Sequence, residues 1–119
     1  MKGKKEPGIK LNDPQRAFKL LREMRSGNIR PLFIGKTQDL PLGQWLRAEA
    51  IPTKGFAFRP GWHVMDKPSA PHLGQNGRAW YEVLVDDCIK YRRPESQGGI
   101  WYLAKWMKIE KRLEDELQI

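Results

Sequence analysis

Proline is concentrated between residues 51 and 73, where two glycines accompany it, and this segment limits what the chain can fold into. Four of the nine prolines lie there, together with both histidines. Proline fixes φ and removes a hydrogen-bond donor, while glycine admits backbone conformations that other residues avoid. The segment is therefore predicted to be an irregular loop, neither helix nor regular strand. Loops that carry His, Arg and Trp together are common places for binding sites.

The length and residue content predict one domain with a single modest core. The chain has 119 residues, among them five Trp, four Phe and three Tyr, and aromatic side chains bury large areas. No apolar run approaches the roughly 20 residues that cross a bilayer, and the Lys-rich start indicates no signal peptide. A single cysteine, Cys88, excludes an internal disulfide and a cysteine-rich zinc site, which favours a cytosolic protein. Because Asp86 and Asp87 adjoin it, Cys88 is interpreted as a structural thiol.

The net charge favours an anionic partner. Lys and Arg number 22 against 14 Asp and Glu, which gives +8 at pH 7. Such an excess attracts polyanions over long range, although many small proteins are basic for solubility alone.

Three segments are predicted along the chain. Residues 1–16 are basic and poor in apolar side chains, which is typical of a flexible arm. Residues 17–109 form the globular domain. Residues 110–119 are acidic, and the spacing of Leu113 and Leu117 predicts a short terminal helix or tail.

The globular segment is predicted to be mainly strands. The Ser-Gly-Asn triplet at 26–28 indicates a hairpin turn within residues 17–34. Residues 40–49 read as a turn followed by either helical turns or a short strand. Residues 79–85 give the clearest strand, ended by Asp86 and Asp87, and residues 100–109 give the last one. The predicted class is α+β: a compact, mainly antiparallel β domain with a short C-terminal helix.

Cations interleaved with aromatic residues predict a ligand-binding surface. That pattern suits phosphate contact combined with base stacking, whereas the competing interpretation is buried aromatics and solvated cations. His63 serves either as an acid, base or hydrogen-bond donor, or as a brace for the loop. His72 is interpreted as a loop strut. The candidate ligand-binding residues are Lys54, Arg59, Trp62, His63, Arg92, Arg93 and Gln97.

Motifs for metal binding and for catalysis are missing from the sequence. The two histidines are nine residues apart without a helical HExxH spacing, so no metal site is predicted. GxSxG, the Walker A loop and GxGxxG are also missing.

Four motifs resemble those of a group of small proteins encoded by bacteriophages and prophages, largely of gut bacteria. They are PLFIGK at 31–36, PTKGFAxRPGWH at 52–63, APHL at 70–73 and RPESQGGxW at 93–101. The resemblance spans most of residues 17–109. It implies a phage origin and, for the location, the cytoplasm of a bacterial host, and it transfers no activity.

A looser likeness is to ADP-ribosyltransferase-type domains, which bind NAD. The likeness implies that Arg22 or His63 holds NAD, and that either Glu95 supplies the catalytic carboxylate or the fold is kept without the reaction. The family's usual Glu position is occupied by Gln97, which can hydrogen-bond a ribose hydroxyl but cannot supply negative charge to an oxocarbenium-like centre.

Three functions follow as hypotheses. The first is a non-enzymatic phage accessory protein, for host takeover or counter-defence, that needs no cofactor. It binds a nucleotide, a nucleic acid or a host defence protein. The second is an NAD-using transferase with Arg22, His63 and Glu95 as catalytic residues. The third is a virion or packaging component, which is supported by the net positive charge alone.

Overall fold

A single antiparallel sheet dominates the computed structural model, which describes residues 8–32, 38–48, 61–69, 74 and 76–113. None of these residues lies in an α-helix. The seven strands, with one 3-10 turn at Glu95–Gln97 before the last of them, are β1 (Ile9–Leu11), β2 (Gln15–Glu23), β3 (Ile29–Arg30), β4 (Trp45–Arg47), β5 (Trp62–Met65), β6 (Arg78–Arg92) and β7 (Ile100–Arg112).

The long hairpin of β6 and β7 organises the sheet. These strands have 15 and 13 residues and pair from Tyr81↔Arg112 to Arg92↔Ile100. The free edge of β6 pairs with β2 and then with β1, and the free edge of β7 pairs with β5 and then with β4. A pairing of β2 with β5 at Phe18↔Met65 joins the two edges. Strands β6, β2, β5 and β7 therefore form a closed ring.

Both long strands change the face that they turn to the core midway along their length. In β6 the buried residues are odd-numbered up to Val85, and the next one is Cys88. Asp87, between them, has φ of 53°, a left-handed conformation that Asp tolerates better than most residues. In β7 the matching change lies between Ala104 and Met107. The hairpin therefore bends while its cross-strand pairing continues.

The ring encloses an apolar core. Among the described residues no charged side chain is fully buried. The side chains that are at most 1% exposed are Ala17, Leu21, Val64, Val83, Val85, Cys88, Ala104, Met107 and Ile109. Apolar burial of this kind is the main stabilising contribution to a small domain.

The prediction of a mainly antiparallel β domain is confirmed. The hairpin predicted within residues 17–34 is present, since β2 pairs with β3 and Gly27 adopts φ of 95° in the turn. The short-strand interpretation of residues 40–49 is the correct one, as β4 shows. Of the C-terminal helix or tail predicted over residues 110–119, residues 110–112 belong to β7 instead, and residues 114–119 lie outside the described part of the chain.

Several predicted boundaries were wrong. Asp86 and Asp87 do not end the strand, which bends at Asp87 and continues to Arg92. Residues 62–65 of the predicted irregular segment form strand β5, because they extend the edge of β7. Within the predicted arm, Ile9–Leu11 form β1 against β6. Strand β7 runs to Arg112, beyond the predicted boundary at 109.

No helix within the described ranges is long and apolar enough to cross a membrane.

Candidate functional site

The turn that joins β6 to β7 fixes the position of the candidate site. Arg93 N–H donates to the Gly99 carbonyl at 3.0 Å, and Gly98 N–H donates to the Glu95 carbonyl at 3.0 Å. Gly98 and Gly99 have φ of 108° and 72°, which glycine adopts without a steric penalty. Pro94 fixes φ at the start of the turn. This backbone brings Tyr91 directly opposite Trp101 in the register of the hairpin.

An aromatic stack lies on the outward face of the sheet beside this turn. The rings of His63 and Trp101 have centroids 4.9 Å apart and an interplanar angle of 14°. The rings of Tyr91 and Trp101 are 4.8 Å apart at 20°. The Arg93 guanidinium carbon lies 4.4 Å from the centroid of the Trp101 ring. We call His63, Tyr91, Arg93 and Trp101 the Trp101 cluster.

The Trp101 cluster combines a buried indole with side chains that solvent can reach. Trp101 is 5% exposed, whereas His63 is exposed and Tyr91 and Arg93 are half-buried. A guanidinium above an indole ring is attracted by the electron density of the ring face, which restricts the orientation of Arg93. The cluster therefore presents a positioned cation beside an accessible imidazole.

Further cations surround the cluster. Arg92 is exposed at the end of β6, next to Arg93. Lys67 follows β5, and its ammonium lies 3.7 Å from a carboxylate oxygen of Glu95. Both members of this pair are well exposed, so solvent screening keeps the interaction weak. The end of the hairpin thus carries more positive than negative side chains among the described residues.

Strand β5, which presents His63, is anchored from the opposite face. Lys19 on β2 donates from its ammonium to the His63 main-chain carbonyl at 2.7 Å. Burial lowers the pKa of Lys19 to about 8, since a desolvated ammonium is less stable than the neutral amine. On β5 itself, the Trp62 indole N–H donates to the Leu46 carbonyl at 2.9 Å. Both bonds fix the backbone beside the cluster.

The structure brings together two of the predicted ligand-binding residues, His63 and Arg93, with Arg92 adjacent. Trp62 has a structural position instead, half-buried against the core and with its N–H bonded to the backbone. Gln97 belongs to the 3-10 turn. The predicted residues Lys54 and Arg59, and the histidine at 72, lie outside the described residues.

The three residues of the transferase hypothesis lie on different elements. Arg22 is on β2, opposite Arg30 and Arg78, and one of its nitrogens lies 3.9 Å from the Met24 sulfur. His63 is on β5, and Glu95 opens the 3-10 turn, where its charged neighbour is a lysine.

Sequence reasoning missed Tyr91 and Trp101. It placed Tyr91 in a loop because the strand was expected to stop at Asp86. The Gly-Gly pair before Ile100 indicates a turn, but a tight turn at these two glycines would pair Ser96 with Trp101. The observed connection spans residues 93–99, so the sequence did not reveal the pairing of Tyr91 with Trp101.

Cys88 is buried in the core, in agreement with its interpretation as a structural thiol. Burial raises the pKa of this thiol, and the neighbouring Asp86 carboxylate raises it further. Within the part of the chain that is described, no three His, Cys, Asp or Glu side chains lie close enough to hold a metal ion.

Comparison with known proteins adds no relative. No family model matches the chain, and searches of curated proteins and of solved structures found no match.

Proposed function

We propose that this chain is a non-enzymatic accessory protein that binds a polyanion, and specifically a nucleic acid, through the Trp101 cluster and the cations beside it. The position of Arg93 above Trp101 carries the proposal. A guanidinium that is already oriented loses little conformational freedom when it forms paired hydrogen bonds to a phosphate. Arg92 and Lys67 add charge at the same end of the hairpin.

A phosphate backbone suits this surface better than an acidic protein does. Phosphates repeat along a nucleic acid, so several separated cations contact one ligand at once and release its counterions. The net charge of +8 attracts a polyanion over long range, and this attraction grows with the number of phosphates in the ligand. The phage setting, with a role in host takeover or counter-defence inside the host cell, rests on the motif resemblance alone.

The test is binding of a fluorescein-labelled DNA duplex of about 20 base pairs, followed by fluorescence anisotropy at several salt concentrations. A double variant, Arg92→Glu with Arg93→Glu, is compared with a control of equal charge change, Arg25→Glu with Lys111→Glu, in which Lys111 is exposed near the end of β7. Arg25 is an exposed arginine in the β2–β3 turn, near the opposite end of β6. We expect the double variant to lose at least about tenfold in affinity and the control less than about threefold.

Two results would overturn this proposal. One is equal loss in the two double variants, which would show that only total charge matters. The other is wild-type binding that does not weaken with salt, because phosphate contacts release counterions. The fold of each variant is checked by its urea unfolding midpoint.

A further inference from the structure

A second aromatic and basic surface lies at the other end of β7. Trp45 and Trp106 are 42% and 37% exposed, and each has a cation as its direct cross-strand neighbour. In the pairing of β4 with β7, Trp45 lies opposite Lys108, and Arg47 lies opposite Trp106. We call Trp45, Arg47, Trp106 and Lys108 the β4–β7 face.

The four side chains project from the outward side of the sheet. Leu46 and Met107, which form the pair between them, point into the core, where Met107 is fully buried. Successive side chains of a strand alternate between faces, so the residues on either side of this pair share the solvent face. The two tryptophans are diagonal neighbours, at a Cβ separation of roughly 7 Å.

The net charge of +8 of the whole chain favours an anionic ligand, and Arg47 and Lys108 place two positive charges beside the indoles. The Lys108 ammonium lies 5.5 Å from the centroid of the Trp45 ring and 3.6 Å from a Glu110 carboxylate oxygen. Arg47, in contrast, makes no ion pair with any carboxylate of the described residues. Asp86, directly opposite Trp106 on β6, retains its negative charge while its carboxylate accepts the main-chain N–H of Asp87 at 2.8 Å.

We infer that the β4–β7 face binds single-stranded nucleic acid by stacking unpaired bases on Trp45 and Trp106, while Arg47 and Lys108 contact phosphates. Exposed indoles with alternating cations are the combination that single-strand sites use, because every base has a face to stack and every linkage carries a charge. This inference stands apart from the proposed function, since the Trp101 cluster lies five residues away along β7 and its own indole is buried.

The ligand is single-stranded because stacking needs bases that are not already stacked in a duplex. Duplex DNA would offer this face only its phosphates, so loss of an indole should leave duplex affinity unchanged. The two surfaces are thereby separable. Charge reversal at Arg92 and Arg93 acts on duplex binding, whereas tryptophan removal acts on single-strand binding alone.

The experiment measures anisotropy of a fluorescein-labelled 12-nucleotide oligothymidylate with wild type, Trp45→Ala and Trp106→Ala. The matched control is Ile9→Ala, which removes an apolar side chain that is 60% exposed on β1. Each tryptophan variant is expected to lose about 5- to 150-fold in affinity, the range for loss of one stacked base, and Ile9→Ala less than about twofold. Trp106→Phe is expected to retain most of the affinity, since it retains an aromatic face.

Four outcomes would overturn the inference. The first is a wild type that does not bind the oligothymidylate. The second is Trp→Ala variants that bind it as the wild type does. The third is equal losses on the oligothymidylate and on the duplex, which would indicate a general structural change. The fourth is a dimer in light scattering that Trp106→Ala converts to a monomer, because the face would then be occupied by a second copy.

Discussion

The Lys19 ammonium donates a 2.7 Å hydrogen bond to the main-chain carbonyl of His63, which joins β2 to β5 where those strands share only the Phe18↔Met65 pair. The bond reinforces the β2–β5 pairing that closes the ring of strands. It also fixes the main chain of His63, which carries the exposed imidazole. Because burial lowers the pKa of Lys19 to about 8 from 10.5, this contact has a measurable dependence on pH.

The contribution of Lys19 to the unfolding free energy should rise as pH increases from 8 toward 10, while the raised pKa of Cys88 acts in the opposite direction above about pH 9. In that interval the unfolded chain binds the Lys19 proton more strongly than the folded chain, so raising the pH favours the folded state. The slope is limited to about 1.4 kcal/mol per pH unit, the value for one proton. Above pH 10 the direction reverses, since the pKa values of Tyr81 and Tyr102 are raised to about 12 and the folded state retains their protons longer.

Urea unfolding midpoints at pH 7.5, 8.5 and 9.5 check this prediction. Lys19→Met is expected to lose the rise with pH. Lys111→Met, which replaces an exposed lysine near the end of β7, should retain it. An unchanged slope in Lys19→Met would show that the ammonium is better solvated than its position indicates.

Glu23, at the end of β2, bonds to Arg112 at the end of β7 and should stabilise the fold only above acidic pH. Its carboxylate accepts Arg112 Nε at 2.6 Å and the Tyr81 hydroxyl at 2.8 Å. The hydrogen bond from Arg112 holds the pKa of Glu23 below its usual 4.5. A depressed carboxyl pKa contributes stability above the unfolded value, and that contribution is lost as pH falls through the folded value.

Glu23→Gln should therefore cost about 1 kcal/mol of unfolding free energy at pH 7, since solvent weakens a partly exposed pair. At pH 3 the cost should be smaller. Urea denaturation at the two pH values measures it. Glu110→Gln, which alters a pair with Lys108 whose 3.6 Å separation is too long for a hydrogen bond, is expected to change little at either pH. An equal cost for Glu23→Gln at both pH values would contradict the electrostatic explanation.

How much of this structure the sequence can predict depends on whether the determining contact is local. The turn at 26–28 is set by its own Ser-Gly-Asn chemistry and was predicted correctly. Strand β5 lies in a segment rich in Pro, and it forms because β7 offers an edge that no local pattern reveals. The bend at Asp87 is likewise imposed by long-range packing. Because no local pattern shows that the strand continues, Asp86 and Asp87 resemble a strand end in the sequence.

The same distinction applies to the candidate site. Arg92, Arg93 and His63 were identified from residue type alone, because cations and histidines mark binding surfaces wherever they lie. Trp62 and Trp101 could not be told apart from sequence. Trp62 points inward with Val64, whereas Trp101 lies on the outward face, and the parity of each strand is fixed by pairing over long range.

Asp87 should be replaceable by Asn but not by Val. At φ of 53° a β-branched side chain is strained, whereas Asn is among the residues that tolerate this region. Both substitutions remove the negative charge that attracts Lys10 and Lys105, so the electrostatic loss is common to both and the remaining difference reports mainly on the backbone. Asp87→Val is expected to unfold at lower urea than Asp87→Asn by about 1 kcal/mol or more. Equal midpoints would show that the bend does not depend on this residue.

Trp101 should stabilise the fold strongly, and His63 should not. Trp101 is 5% exposed, so Trp101→Ala removes a large buried side chain and is expected to cost about 3–5 kcal/mol. His63 is exposed, and His63→Ala should stay within about 0.5 kcal/mol. Urea titration of the two variants decides this. A large cost for His63→Ala would make the imidazole part of the packing and no longer an accessible ligand contact.

The position of Arg93 above Trp101 also gives a test that holds charge constant. Arg93→Lys retains the positive charge but loses the planar guanidinium that stacks on an indole and binds phosphate with two parallel hydrogen bonds. Duplex affinity is expected to fall severalfold, while the dependence of the logarithm of affinity on the logarithm of salt stays the same, because the number of neutralised phosphates does not change. Arg92→Lys is the matched control at the adjacent exposed position and should stay within about twofold. If the two lysine variants behave alike, the stack does not orient Arg93 for binding, and the surface acts by its charge alone.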